Sequence, residues 1–406
     1  MTDHSNSNPT LPELADPFVL EEQFLRSRGN AKWNLYGSDV LPAFVAEMDF
    51  AIAEPIQNTL RPLIEKEDYG YPMRAGGRPD QLVIESFGQR MERKFHWRPN
   101  PGSALVLADL VQGTFAAIMA FCEPGEGVIL QVPCYPPFRE AITTLGRRLI
   151  PLIMRDDGRQ FRFDLDEIAG AIDARTRILL LCNPHNPTGR VFLREELMQL
   201  AELAIERDLI VISDEIHADL AYPGAHHIPF ASLSEEIAAR TVTLYSATKS
   251  FNIPGLRCAV IHFGSRALQE RCQRQIPARL LGSVSAIGIE ASLAAWSAGE
   301  PWLQAAMNHL QRARDHMLAM LKAELPQISC HAPEATYLAW LDCSLLDLTG
   351  SAYKFFLEEA RIGFSPGESF EPACGQFVRF NFATSRAILD QILERMIGAV
   401  RRRDGS

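Results

Sequence analysis

The chain has 406 residues, 47% hydrophobic and 22% charged, so it is long enough for two or three domains and unlike disordered, collagenous or coiled-coil sequences. Acidic residues outnumber basic ones 50 to 40, and a net charge of −10 disfavours a nucleic-acid binder, which would normally show a basic face. Eight cysteines with no Cys-x-x-Cys spacing do not make a disulfide scaffold.

Residues 1–30 read as a polar start with no apolar leader, becoming an arm or short helix around Pro17–Arg28. The most apolar stretch, 104–121, is interrupted by Asp109, Gln112 and Gly113, and reads as strand plus helix instead of a membrane span. From about 100 to 265, short apolar runs alternate with longer amphipathic ones. Ser103–Leu107, Gly127–Val132, Arg177–Cys182, Leu209–Ser213, Thr241–Tyr245 and Cys258–Phe263 are strand-like, while Val111–Cys122, Pro136–Leu145 and Leu193–Arg207 are helix-like. That alternation implies crossover units and a mostly parallel sheet. Beyond about 285 comes a long helical tract (284–323), then a strand-rich piece at Ala335–Leu341 and Phe377–Phe382, then a helix ending in Arg401-Arg402-Arg403. Cys182, following Ile-Leu-Leu-Leu, reads as a buried reduced thiol, and a reducing cytoplasmic setting is the expectation.

Several chemistries are absent from the sequence. It has no P-loop pattern and no Gly-x-Ser-x-Gly elbow, and its one Gly-x-Gly (Gly125, Gly127) precedes a strand where the dinucleotide fingerprint follows one. His226-His227, after Tyr222-Pro223-Gly224, reads as a flexible loop more readily than as a metal site. The informative residues follow buried strands, where ligands bind in open α/β sheets. Lys249, in Ser-Ala-Thr-Lys-Ser-Phe-Asn, is one of only six lysines among 40 basic residues and sits among small and apolar neighbours. A lysine kept there suggests chemistry that a guanidinium cannot do, such as a Schiff base; the plainer alternative is a surface lysine at a loop start. Asp214 ends Leu-Ile-Val-Ile-Ser, 35 residues before Lys249, and is either a helix cap or an acid that keeps a pyridine nitrogen protonated. Asn183-Pro-His-Asn186-Pro-Thr-Gly189 is a turn-rich loop of fixed shape, or only a tight connection.

In this order the three features resemble a fold-type I pyridoxal-phosphate enzyme of the class I/II aminotransferase superfamily. Within it, the sequence is similar to the cystathionine β-lyase and cysteine C–S lyase branch through Trp33, Phe44-Val-Ala-Glu-Met-Asp-Phe50, Tyr69-Gly-Tyr-Pro72, Ser213-Asp-Glu-Ile-His-Ala-Asp219 and His227-Ile-Pro-Phe-Ala-Ser-Leu233. The resemblance runs from about Trp33 to the C-terminus. It implies an N-terminal arm and joining segment (1–55), a large cofactor domain with a mostly parallel seven-stranded sheet (56–285) and a smaller C-terminal α+β domain (286–406). It implies pyridoxal 5'-phosphate carried by Lys249 and an amino-acid substrate. It also implies a homodimer with shared sites and no nucleic-acid or membrane partner.

By position, the resemblance places Asp214 at the pyridine nitrogen, Asn186 and His217 along the phenolate edge, and Tyr135 on the ring face. Backbone groups of Asp109, Leu110 and Val111, with Ser246 and Arg257, would receive the phosphate, and Tyr71 would reach the partner subunit's phosphate. Arg379 would clamp the substrate carboxylate, where a surface strand arginine is the plainer alternative; Asn186 and Glu47 would also face the substrate. Three departures stand out: Asp109 where Gly is common, Glu47 where the branch has Asp, and Arg257, which is typical of aminotransferases. The implied activity is β-elimination splitting a C–S bond to thiol, pyruvate and ammonia. Transamination or a related tailoring reaction is the alternative, and a regulatory protein that binds the cofactor is a third.

Overall fold

A computed structural model describes residues 16–73, 78–403 and 405; residues 1–15 of the polar start lie outside these, and the short helix expected around Pro17–Arg28 is present at Glu22–Ser27. Eight strands form one sheet: β1 (Ala104–Leu107), β2 (Gly127–Val132), β3 (Arg148–Asp156), β4 (Phe161–Phe163), β5 (Thr176–Cys182), β6 (Ile210–Asp214), β7 (Thr241–Tyr245) and β8 (Ala259–Phe263). Their spatial order is β1-β8-β7-β6-β5-β2-β3-β4. The central pairs are parallel, and β8 runs antiparallel to both β7 and β1. Two antiparallel steps leave β1 pointing the same way as the parallel core, so β1, β2, β5, β6 and β7 all end on one edge of the sheet.

Strand β5 shows why these runs form central strands. Ile178 and Leu180 pack into one apolar layer, whereas Leu179 and Leu181 pack into the layer on the opposite face. A strand covered on both sides has to be apolar at successive positions. The sheet is mostly parallel, as the alternation implies, but has eight strands instead of seven. Strands β3 and β4 carry no clear signal. Pro151 interrupts β3, tolerated because β4 pairs only with Met154–Asp156 and leaves the strand edge beside Pro151 free.

The helical tract divides into Ala286–Ala298 and Glu300–Glu324. A Cβ on Gly299 would lie 2.6 Å from the Ala295 carbonyl oxygen and from the Phe251 ring, so a side chain does not fit at this corner. A second, antiparallel sheet places β9 (Leu338–Asp342) and β10 (Ser365–Pro366) on either side of β11 (Phe377–Asn381). Leu41–Pro42 pairs with Ile362–Gly363.

The segment that follows, 43–50, runs between the two sheets. Asn381 Nδ2 donates to the carbonyls of Val45 and Glu47, and Asn252 accepts from Met48 N–H at 2.8 Å. Asp49 anchors its far end through buried bonds from Lys32 Nζ (2.8 Å) and Trp33 Nε1 (2.7 Å). The segment is thereby clamped by residues three positions after Lys249 and two after Arg379. His227 is not in a flexible loop: its Nε2 lies 3.0 Å from buried Glu215 Oε2, and its ring packs edge-on against Phe95. No cluster of three potential metal-ligating side chains occurs among the described residues.

Candidate active site

The common edge of the sheet opens into a cavity of about 280 Å³. Each converging strand contributes to its wall: Ala108–Val111 after β1, Tyr135 and Phe138 after β2, Cys182 and Asn186 at and after β5. Asp214, Ile216 and His217 come from β6 and its loop, and Ser246, Thr248, Lys249, Pro254 and Arg257 from the loop after β7. Arg379 enters from the second sheet, and Val45 and Ala46 from the clamped segment.

Lys249 Nζ donates to the Ala46 carbonyl at 2.9 Å, and the Tyr337 hydroxyl donates to the same oxygen at 2.9 Å. Burial, reinforced by the nearby Arg379 cation and partly offset by Glu47 and Asp214, brings the amine down to about 8. About a tenth of it is therefore uncharged at pH 7, and about half at pH 8. Asp214 is 4% exposed. Its Oδ1 accepts from Ile216 N–H at 3.0 Å, and Oδ2 has no hydrogen-bond partner among the described residues. Burial raises this carboxyl to about 7, against the opposing effects of the Ile216 bond and Lys249. His217 is buried with Nδ1 unpaired among the described residues, and desolvation holds it neutral, down at about 3.

Arg379 is 5% exposed and lies 4.8 Å over the Phe370 ring. Its Nη1 donates to Asn186 Oδ1 at 3.0 Å, its Nη2 donates to the Phe44 carbonyl and Ser365 Oγ at 3.0 Å, and its Nε has no partner among the described residues. A buried guanidinium facing neutral oxygens lacks a compensating anion; burial lowers it to about 10. The surface-arginine alternative does not describe it.

At the opposite wall, Asp109 caps the helix Leu110–Phe121 by accepting from Gln112 N–H at 2.8 Å, and its other oxygen pairs with Arg257. The N–H groups of Leu110 and Val111 have no intrahelical acceptors, and helix starts of this kind receive anions. Ser246 donates to the Cys258 carbonyl at 2.7 Å and accepts from Thr248 N–H.

Glu47 and Tyr71 do not line the cavity. Glu47 accepts from Asn30 Nδ2 at 3.0 Å and acts on Lys249 through its charge. Tyr71 is 103% exposed. The Ala46 and Phe44 carbonyls are functional groups that the sequence reading missed, because a backbone oxygen leaves no mark in residue identity. Thr248 lay inside the quoted lysine motif without being singled out.

A lysine, a buried acid and a helix start suited to an anion, gathered on the carboxyl edge of one mostly parallel sheet, define the site of a fold-type I pyridoxal-phosphate enzyme. The aminotransferase class I and II model matches residues 78–396. Cystathionine beta-lyase PatB of Bacillus subtilis is 33% identical over 380 residues, covering 91% of this chain and 96% of that protein. The solved structure of OvoB is 35% identical with a TM-score of 0.88, covering 95% of this chain and 98% of that one. The PLP-bound C–S lyase of Staphylococcus hominis is 26% identical with a TM-score of 0.85, covering 94% and 98%. The chain belongs to the aminotransferase class I and II family.

The residues present fit pyridoxal phosphate. Asp214 lines the cavity with Oδ2 free to accept from a cationic N–H, the unpaired His217 Nδ1 can meet a ring substituent, and the helix start with Arg257 suits a phosphate. Among the described residues, no helix is long and apolar enough to cross a membrane.

Proposed function

We propose that the protein is a pyridoxal-phosphate-dependent C–S lyase acting on a cysteine S-conjugate or cystathionine. The observation that carries this reading is the enclosure of Lys249, Asp214 and Arg379 in one cavity. The matching relatives named for C–S bond cleavage support the choice of reaction. Pyridoxal phosphate, when bound, supplies an electron sink for negative charge at the substrate Cα.

Lys249 would hold the cofactor's aldehyde carbon and Asp214 its ring nitrogen. Asn186 and His217 would flank the phenolate oxygen, and Tyr135 would cover the ring. Leu110, Val111, Ser246 and Arg257 would take the phosphate. Arg379 binds the substrate α-carboxylate, gaining the anion that it lacks and fixing the Cα–H bond in orientation. The amine of Lys249, near 8, takes the Cα proton as a neutral base and returns a proton later. The Cβ–S pair leaves with the sulfur as a thiol, and addition of water releases pyruvate and ammonium.

Transamination uses the same groups, and Arg257 in the phosphate wall favours it as the second reading. The unpaired buried thiols suit a reducing cytoplasm. A homodimer in which Tyr71 completes the neighbouring site belongs to the same proposal. The test is incubation with cystathionine, cysteine and cysteine S-conjugates, with pyruvate, thiol and keto acid assayed separately. Thiol and pyruvate in equal amounts are expected. Keto acid that retains the substrate's sulfur substituent would identify a transaminase.

A further inference from the structure

The anion-receiving wall of the cavity contains an acid. Asp109 uses one carboxylate oxygen to cap the helix at Gln112 N–H, 2.8 Å away, and the other to pair with the Arg257 guanidinium. Arg257 has φ +48°, a left-handed backbone, and a side chain 63% exposed, and its only ion-pair partner among the described residues is Asp109. Among the described residues, Asp109 and Asp214 are the only carboxylates lining the cavity. Asp214 is buried with no ion-pair partner among the described residues, whereas Asp109 is the one engaged by a guanidinium. A phosphate ester entering this wall meets a guanidinium and a helix start, but also a full negative charge that has already engaged both.

We propose that Asp109 acts as a brake on the phosphate wall: its carboxylate competes with the cofactor's phosphate for Arg257 and the helix start, and so weakens retention of the cofactor. This rests on reading the cavity as a pyridoxal-phosphate site. Asp109→Asn isolates the charge, since Asn keeps the shape and the capping acceptor. Removing a unit charge beside a dianion, screened as at a half-exposed site, changes binding by about tenfold.

The test is equilibrium titration of the full chain, freed of cofactor by dialysis, with pyridoxal phosphate and separately with pyridoxal, which lacks the phosphate. The Asp109→Asn Kd for pyridoxal phosphate should fall about tenfold while that for pyridoxal stays within about twofold, and Arg257→Gln should weaken pyridoxal phosphate selectively. An unchanged or raised Kd for pyridoxal phosphate in Asp109→Asn would overturn the proposal, the latter showing that Asp109 holds Arg257 ready instead. Equal shifts for both ligands would also overturn it. A wild-type chain that binds neither ligand would remove the cofactor reading itself, whereas wild-type binding unaffected by Asp109→Asn would remove only this inference.

Discussion

At the scale of single residues, two groups carry charge states set by burial. Lys249, brought down to about 8, is suited to act as a base near neutral pH. Lys249→Ala should abolish borohydride-trappable cofactor and lower kcat by on the order of a thousandfold; retained trapping would move the attachment elsewhere. Asp214 gives a test of stability. Its folded carboxyl, at about 7, lies above the ordinary 3.8, so its contribution is fully present below about pH 4 and is lost as pH rises through about 7. In the cofactor-free chain, Asp214→Asn removes a penalty that wild type carries at pH 8 and not at pH 4, on the order of 2–4 kcal/mol. Denaturant unfolding at both pH values measures it; a variant no more stable relative to wild type at pH 8 than at pH 4 contradicts the burial argument. The same variant should lose well over threefold in turnover, because a neutral amide does not stabilise the protonated ring nitrogen.

These residues were legible in sequence for a physical reason: Asp214 ends an apolar strand and Lys249 follows another within four residues, which puts both near the carboxyl edge of the sheet where ligands bind. Arg379 was less so, because its burial depends on β9, β10 and the Phe44 carbonyl, which meet only in the fold. The Asp109–Arg257 pair joins positions 148 apart in sequence, and neither residue alone indicates the other.

At the scale of elements, the Asn183–Gly189 loop shows how the sheet edge is tied to the second half of the chain. Gly189 has φ +72°, and its carbonyl accepts the N–H groups of Glu334 and Ala335, both at 2.9 Å. A Cβ there would lie 2.7 Å from Pro333 Cβ and 3.0 Å from its Cα, so both the dihedral and the backbone approach demand glycine. Gly189→Ala should cost about 2 kcal/mol and shift Asn186, the acceptor of Arg379, so the substrate KM should rise. An unaltered melting midpoint and KM would show that the loop relaxes freely. The loop's identity was readable from its Asn-Pro pairs and its Gly, but the Pro333–Ala335 contact was not. For the same reason β3 was missed while β5 was not: apolar runs signal strands buried on both faces, and an interrupted strand near a sheet edge gives a weaker pattern.

At the scale of the whole molecule, Tyr71 calls for a cover from outside its own chain. It is fully exposed, in a stretch that also exposes Ile64, Tyr69 and Met73, at 56%, 61% and 76%. A run of exposed large apolar side chains is costly to leave in water and suits a subunit interface. A two-fold dimer would cover it and build two equivalent sites, each taking Tyr71 from the other chain. Complementation tests this arrangement. Tyr71→Ala and Lys249→Ala are each expected to be poorly active alone. In a mixed dimer, one site pairs the intact lysine of the first subunit with the intact tyrosine of the second, and the other site carries both lesions. Activity should therefore return to a substantial fraction of one wild-type site. If exchange of subunits is demonstrated by mass and no activity returns, Tyr71 serves its own chain or only packing, and the shared site does not exist.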